Sequence, residues 1–116
     1  MKDFEYKNGI FIYYLPKELD HFAADRLKNK TADLFDENIR YLVFDFKNTV
    51  LMDSSGIGLI TGRYRKVHDN GGMVYVINVN EKIDKLLLLS GIYRIVSKRE
   101  NSNEIINELL EEGYYE

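Results

Sequence analysis

Residues 41–66 read YLVFDFKNTVLMDSSGIGLITGRYRK, and the period of the apolar residues changes inside them. Tyr41 to Phe46 is a nearly continuous apolar run of strand length, the pattern of a central strand covered on both faces. From Ile57 onward, Ile57, Ile60, Thr61, Tyr64, Val67 and His68 recur at helical spacing and predict one buried stripe, ended by Asn70 and the pair Gly71-Gly72. Between strand and helix lie an acid, two serines and two glycines. A buried strand that passes through a short polar turn into an amphipathic helix is the building unit of an α/β sheet.

The flanking sequence repeats this alternation. Ile10 to Leu15 is strand-like, closed by Pro16 and opened by Asn8-Gly9, a pair suited to a hairpin turn from a short strand over Phe4 to Lys7. From Asp20, which is placed to cap a first turn, Ala23, Ala24, Leu27, Leu34 and Phe35 predict a helix ending near Asn38. "MVYVINV" (73–79) is a second buried-type strand, and "EKIDKLLLLSGI" (81–92) a helix stopped by Ser90-Gly91. "YRIVSK" (93–98) reads as a short edge strand, and Asn101 with Glu104 as a capping box for a last helix through Ile105, Ile106, Leu109 and Leu110. The expected fold is therefore α/β: a small, mostly parallel or mixed sheet of four to five strands with about four helices, joined by right-handed crossovers. Residues 1–116 are expected to form a single domain, with 1–3 and 113–116 frayed. In such sheets function sits on loops at the carboxyl ends of strands, where the Asp53-Ser54-Ser55-Gly56 turn lies.

Composition excludes several classes. A net charge of −3 with dispersed Lys and Arg lacks the footprint of a nucleic-acid binder, and Arg63, Arg65 and Lys66 read as a solvated helix face. The absence of cysteine excludes disulfides and thiolate chemistry. No apolar run approaches the roughly 18 to 20 residues of a membrane span, and the N-terminus has no apolar signal core, so a soluble, cytoplasmic protein without membrane contact is expected.

The turn itself admits two readings. A helix start leaves backbone N–H groups unpaired and carries partial positive charge, which suits a capping oxygen or an anion. Asp53 or Ser54 supplies a cap, and on this reading the stretch is local structure only. Gly56 and Gly58, however, strip side chains from beside Ser55 at a cost in helix propensity. Counting from residue 55, the face turned away from the predicted stripe holds Gly58, Leu59, Gly62, Arg63 and Lys66, a bare surface with an exposed Leu59 that suits close packing by another protein, or by a second copy of the chain.

Catalysis finds little support. There is no Gly-x-Ser-x-Gly elbow for a serine hydrolase, and of the two histidines, His68 falls on the predicted buried stripe while His21 merely adjoins Asp20. No histidine or acid spacing recommends a metal site, and Gly71-Gly72 lacks the Lys and Ser/Thr of a nucleotide loop. No catalytic residue, metal ligand or cofactor is assigned.

"LMDSSGIGLITGRYRK", "ELDHFAADRLK" and "LLLLSGIYRIV", in this order, resemble segments of the bacterial anti-sigma factor antagonists, the stand-alone STAS domains, whose corresponding stretch reads FMDSSGLG…GRYK. The resemblance spans about Tyr13 to Val96 and is strongest to the antagonists that act on the kinase-type anti-sigma factor of the sporulation pathway. It implies a STAS-type fold and a phospho-switch without catalysis of its own. The unmodified form would bind an anti-sigma factor serine kinase carrying ATP or ADP and release its sigma factor. Phosphorylation of the second serine, Ser55, would end binding, and a separate serine phosphatase would reset it. The implied partner surface comprises Asp53, Ser54, Ser55, Gly56, Gly58, Leu59, Gly62 and Arg63. Asp20 either belongs to it or simply caps its helix. A monomer is expected, with a dimer left open; the alternatives are a STAS-type regulator of another switching system and, ranked below it, a serine-dependent hydrolase. One difference stands out: where the family usually reads Gly-Glu-Leu-Asp, this chain has Lys17 before Glu18-Leu19-Asp20.

Overall fold

The computed structural model describes all residues except 1, 8, 37, 38 and 114–116. A five-stranded sheet runs in the order β1 (Phe4–Lys7), β2 (Ile10–Tyr14), β4 (Tyr41–Asp45), β6 (Met73–Ile77), β7 (Ser97–Arg99). β1 is antiparallel to β2 and every other pair is parallel, as alternating helices require. Asn8 of the expected hairpin turn lies outside the described residues, but Lys7 pairs with Ile10, the register of a two-residue loop.

Side-chain alternation sorts the strands into two faces. Phe11, Tyr13, Leu42, Phe44, Val74 and Val76 pack under α1 (His21–Thr31), α2 (Ser54–Asp69) and α3 (Glu81–Ser90). On the opposite face Tyr41, Val43, Tyr75 and Ile77 meet Ile105 and Leu109 of α4 (Ser102–Glu111). β4 is buried from Tyr41 through Phe44, as a central strand covered by helices must be. Fully burying one such aliphatic or aromatic side chain contributes roughly 1.5–3 kcal/mol, so the alternation fixes the strand register firmly.

Several boundaries differ from the sequence reading. α1 stops at Thr31 and continues as a 3-10 turn, Ala32–Asp36, rather than reaching toward Asn38, itself outside the described residues. Two groups hold that end: the Thr31 hydroxyl donates back to the Leu27 carbonyl at 2.7 Å, and Arg63 donates to the Lys28 carbonyl at 2.8 Å. The tighter turn carries Phe35 into the core. In the expected "YRIVSK" strand, Ile92–Arg94 form a 3-10 turn instead, following Gly91 at φ 82°, and the edge strand begins only at Ser97. The last capping box is offset. Asn101 accepts from the Glu104 N–H at 3.1 Å, but the Glu104 carboxylate reaches the N–H of Glu100 at 2.8 Å, one residue before the cap. Of the frayed termini expected from sequence, residues 114–116 lie outside the description, whereas Asp3 is held by Lys30 at 2.8 Å and Arg26 at 3.0 Å.

A second, two-stranded ladder was not foreseen. β3 (Glu18–Leu19) pairs in parallel with β5 (Leu51–Met52) beyond the carboxyl ends of β2 and β4. Two residues carry no periodicity, so nothing local marks these strands. They nevertheless align the starts of α1 and α2.

Candidate functional site

The ladder sets Leu19 opposite Met52, and each strand then enters a helix through an aspartate. The Lys17 carbonyl accepts from the N–H groups of Val50 at 2.8 Å and Leu51 at 3.1 Å, and the Asp53 N–H donates to the Leu19 carbonyl at 3.3 Å. Lys17 is not in the left-handed region, so this turn accommodates a non-glycine residue without backbone strain. Asp20 (φ −99°) and Asp53 (φ −113°) are extended N-caps. Asp20 Oδ1 accepts from the Ala23 N–H at 2.9 Å and Asp53 Oδ1 from the Ser55 N–H at 2.8 Å, so each carboxylate satisfies an unpaired donor and meets the positive end of its helix. Both readings of Asp20 are thereby compatible, because the capping geometry brings it beside Asp53. The two caps, with Glu18, Leu19, Leu51 and Met52, line one shallow cleft.

Ser54 and Ser55 are the first two residues of α2. Of the two cap candidates, Asp53 supplies the side-chain cap, and Ser54 is already the first helical residue. Ser55 is half-buried, and among the described residues its hydroxyl takes no hydrogen bond.

The glycines divide by role. A Cβ on Gly56 would lie 2.5 Å from Met52 Cγ and 3.0 Å from Leu19 Cδ2, so this buried glycine permits the ladder to pack on α2 and does not open the surface beside Ser55. At Gly58 and Gly62, both exposed, an added Cβ would meet nothing within 4 Å. Packing within the chain therefore does not demand either glycine, although each costs about 1 kcal/mol of helix propensity relative to Ala. They lie three and seven residues beyond Ser55, on the same helical face.

Two expectations for α2 are overturned. Leu59 is fully buried and Arg63 is 6% exposed, so neither lies on the bare face, and the argument for self-association through Leu59 falls with it. His68, expected on the buried stripe, is exposed and stacks on Tyr64 with ring centroids 5.1 Å apart. The true stripe runs through Gly56, Leu59, Ile60, Arg63 and Val67, and a charged residue in the fourth place hides it from any hydrophobicity pattern. Arg63 stays buried because its neighbours are built for it. It lies over the Phe35 ring at 4.4 Å and donates to the Lys28 carbonyl and, from Nε, to the Tyr13 hydroxyl at 3.2 Å.

Neither histidine hydrogen-bonds the Ser55 hydroxyl among the described residues. His21 lies 3.4 Å from Asp25, and His68 stands near the far end of α2. No group of three His, Cys, Asp or Glu residues among those described is arranged to hold a metal ion, and no described helix is long and apolar enough to cross a membrane. Sequence reasoning missed a different feature. Phe22, Val50 and Leu51 are 81%, 48% and 46% exposed around the two caps. The one available signal was that Phe22 stands off the Ala23, Ala24, Leu27 stripe.

Comparison with known proteins places this geometry. The STAS domain model matches residues 1–107. The chain is 32% identical over 108 residues, 92% of each sequence, to the anti-sigma F factor antagonist of Paenibacillus polymyxa. In fold it is similar to the anti-sigma factor antagonist SpoIIAA in its unphosphorylated form (TM-score 0.72, 22% identity, covering 91% of this chain and 96% of that one). It matches the phosphorylated Bacillus SpoIIAA equally in fold (TM-score 0.72, 24% identity, 90% and 96% covered).

Proposed function

Because the chain belongs to the STAS domain family, we propose that it works as an anti-sigma factor antagonist whose partner binding is switched by phosphorylation of Ser55. Domains of this family regulate and do not catalyse. The partner is an anti-sigma factor with serine kinase activity, which itself carries the ATP or ADP, and a separate serine phosphatase restores the unmodified form. The single observation that supports the switch is the Ser55 hydroxyl, without a hydrogen bond among the described residues at the start of α2, beside a face where a Cβ on Gly58 or Gly62 would meet no described atom within 4 Å.

The physics of the switch follows from that position. A phosphate adds about −1.5 to −2 charges at neutral pH and a bulky group where a partner must come close. The Asp53 carboxylate, whose Oδ1 is 2.8 Å from the Ser55 nitrogen, already supplies negative charge there. Repulsion and bulk together oppose docking, while the N-terminus of α2 accommodates the anion within the fold. The modification therefore changes what the surface accepts and leaves the domain folded.

Incubation with the cognate anti-sigma kinase and ATP is expected to add one phosphate, mapped by mass spectrometry to Ser55. Ser55→Ala should keep binding and Ser55→Asp weaken it. Phosphate on another residue, or equal binding by the Asp variant, defeats the reading.

A further inference from the structure

The two strand-to-helix turns are register equivalents. Leu19 pairs with Met52, Asp20 and Asp53 are the caps, His21 and Ser54 open the helices, and Phe22 and Ser55 follow as second residues. α1 packs against α2, so Phe22 and the proposed switch residue lie in the first turns of two neighbouring helices. Phe22 is 81% exposed, and its ring meets the His21 ring edge-on, with centroids 5.8 Å apart. It contributes almost nothing to the core, which Ala23, Ala24 and Leu27 of the same helix supply. Val50 and Leu51 are also exposed apolar side chains at this end of the sheet, with Leu51 directly opposite Glu18 on the ladder. The carboxylates of Glu18, Asp20 and Asp53 line the cleft that Leu51 shares, and no Lys or Arg is among its described lining residues, so this rim is acidic.

We propose that Phe22 is the apolar anchor of the docking surface, and that the anti-sigma partner receives it in an apolar recess bordered by Arg or Lys side chains that face Glu18, Asp20 and Asp53. The proposal rests on the reading of this pole as the docking site and adds which side chain supplies the affinity. Charge complementarity commits the occupant to a basic-rimmed partner, in place of a second, equally acidic copy of this pole. An aromatic side chain held in water by a rigid first turn is preorganised for insertion, and a polar rim that excludes water around such an anchor is the usual setting of an interface hot spot.

The test is calorimetric titration of the full, unphosphorylated chain with its anti-sigma factor. Phe22→Ala is expected to weaken binding at least about 10-fold, with an unchanged thermal midpoint because little buried area is lost. Phe22→Leu should recover part of the loss. Leu110→Ala, which removes a 47% exposed leucine from α4 on the opposite sheet face, should change affinity less than about two-fold. Added salt should slow association. If the unaltered chain binds and Phe22→Ala binds equally well, the anchor is wrong and the proposed function stands. If the unaltered chain does not bind the anti-sigma factor at all, the proposed function fails, and the anchor with it.

Discussion

Arg63 donates from Nη2 to the Lys28 carbonyl at 2.8 Å, so a side chain of α2 ends α1. The same guanidinium donates to the Tyr13 hydroxyl, which therefore passes its own proton to Thr31 Oγ1 at 2.7 Å, and Thr31 in turn donates to the Leu27 carbonyl. Burial raises the Tyr13 phenol above its ordinary range, which keeps it a neutral donor in this chain of bonds. Removal of Arg63 leaves buried acceptors unpaired and a void over Phe35. Arg63→Ala is expected to lower stability by about 3 kcal/mol in urea unfolding. Arg63→Lys should recover little, since an ammonium lacks both the planar fork and the flat face laid on Phe35. A small loss in either variant contradicts the network.

The three glycines of α2 predict opposite signs. Gly58→Ala and Gly62→Ala meet open space, so each should stabilise the fold by about 0.5–1 kcal/mol while weakening partner binding. Gly56→Ala forces a methyl into Met52 and Leu19 and should destabilise by about 1–3 kcal/mol. Thermal unfolding and partner titration of the three variants separate a glycine kept for packing from one kept for docking. Unchanged affinity in both Gly58→Ala and Gly62→Ala would argue that the bare face is not an interface.

Acid should unfold the chain in part through two carboxylates. The Lys30 ammonium, with Arg26, holds the Asp3 carboxyl below its ordinary 3.8, and the Tyr93 hydroxyl, with Lys98, lowers Asp84 in the same direction. A folded-state value below the unfolded one means that unfolding takes up protons. The stability these groups contribute is present above 3.8 and is lost as pH falls through their folded-state values. The thermal midpoint of Asp3→Asn should accordingly fall less than that of the unaltered chain between about pH 7 and about pH 3. An equal fall removes Asp3 from this account.

Thr49 is 1% exposed, and among the described residues its hydroxyl has no hydrogen-bond partner. Its backbone is fully used, the N–H by Phe46 and the carbonyl by Asn80, so the side chain alone carries the penalty. The near-isosteric Thr49→Val should raise unfolding free energy by about 1 kcal/mol, and a destabilised variant would contradict the assignment.

The main strands and helices were legible because each buries a face with its own period: Leu42 and Phe44 against Tyr41 and Val43, or Ile105 with Leu109 four residues on. The order of these elements was enough for an α/β sheet, and the Asp-Ser-Ser-Gly turn marked the end of the sheet where a site belongs. The orientation of α2 was not legible. Its inward side holds a glycine and an arginine, so the apolar count pointed to the wrong stripe, burying His68 on paper and exposing Leu59.

Local sequence thus determined where the chain turns from strand to helix, and that a hydroxyl stands at the mouth of α2, since caps, glycines and periodicity act over a few residues. Tertiary structure alone decided what surrounds that hydroxyl. The two-residue ladder that brings Asp20 and Asp53 to one cleft and the transfer of Arg63 from surface to core both arise from contacts between segments about thirty to fifty residues apart. Such contacts form only when the sheet brings the segments together, and they leave no period in either segment by itself.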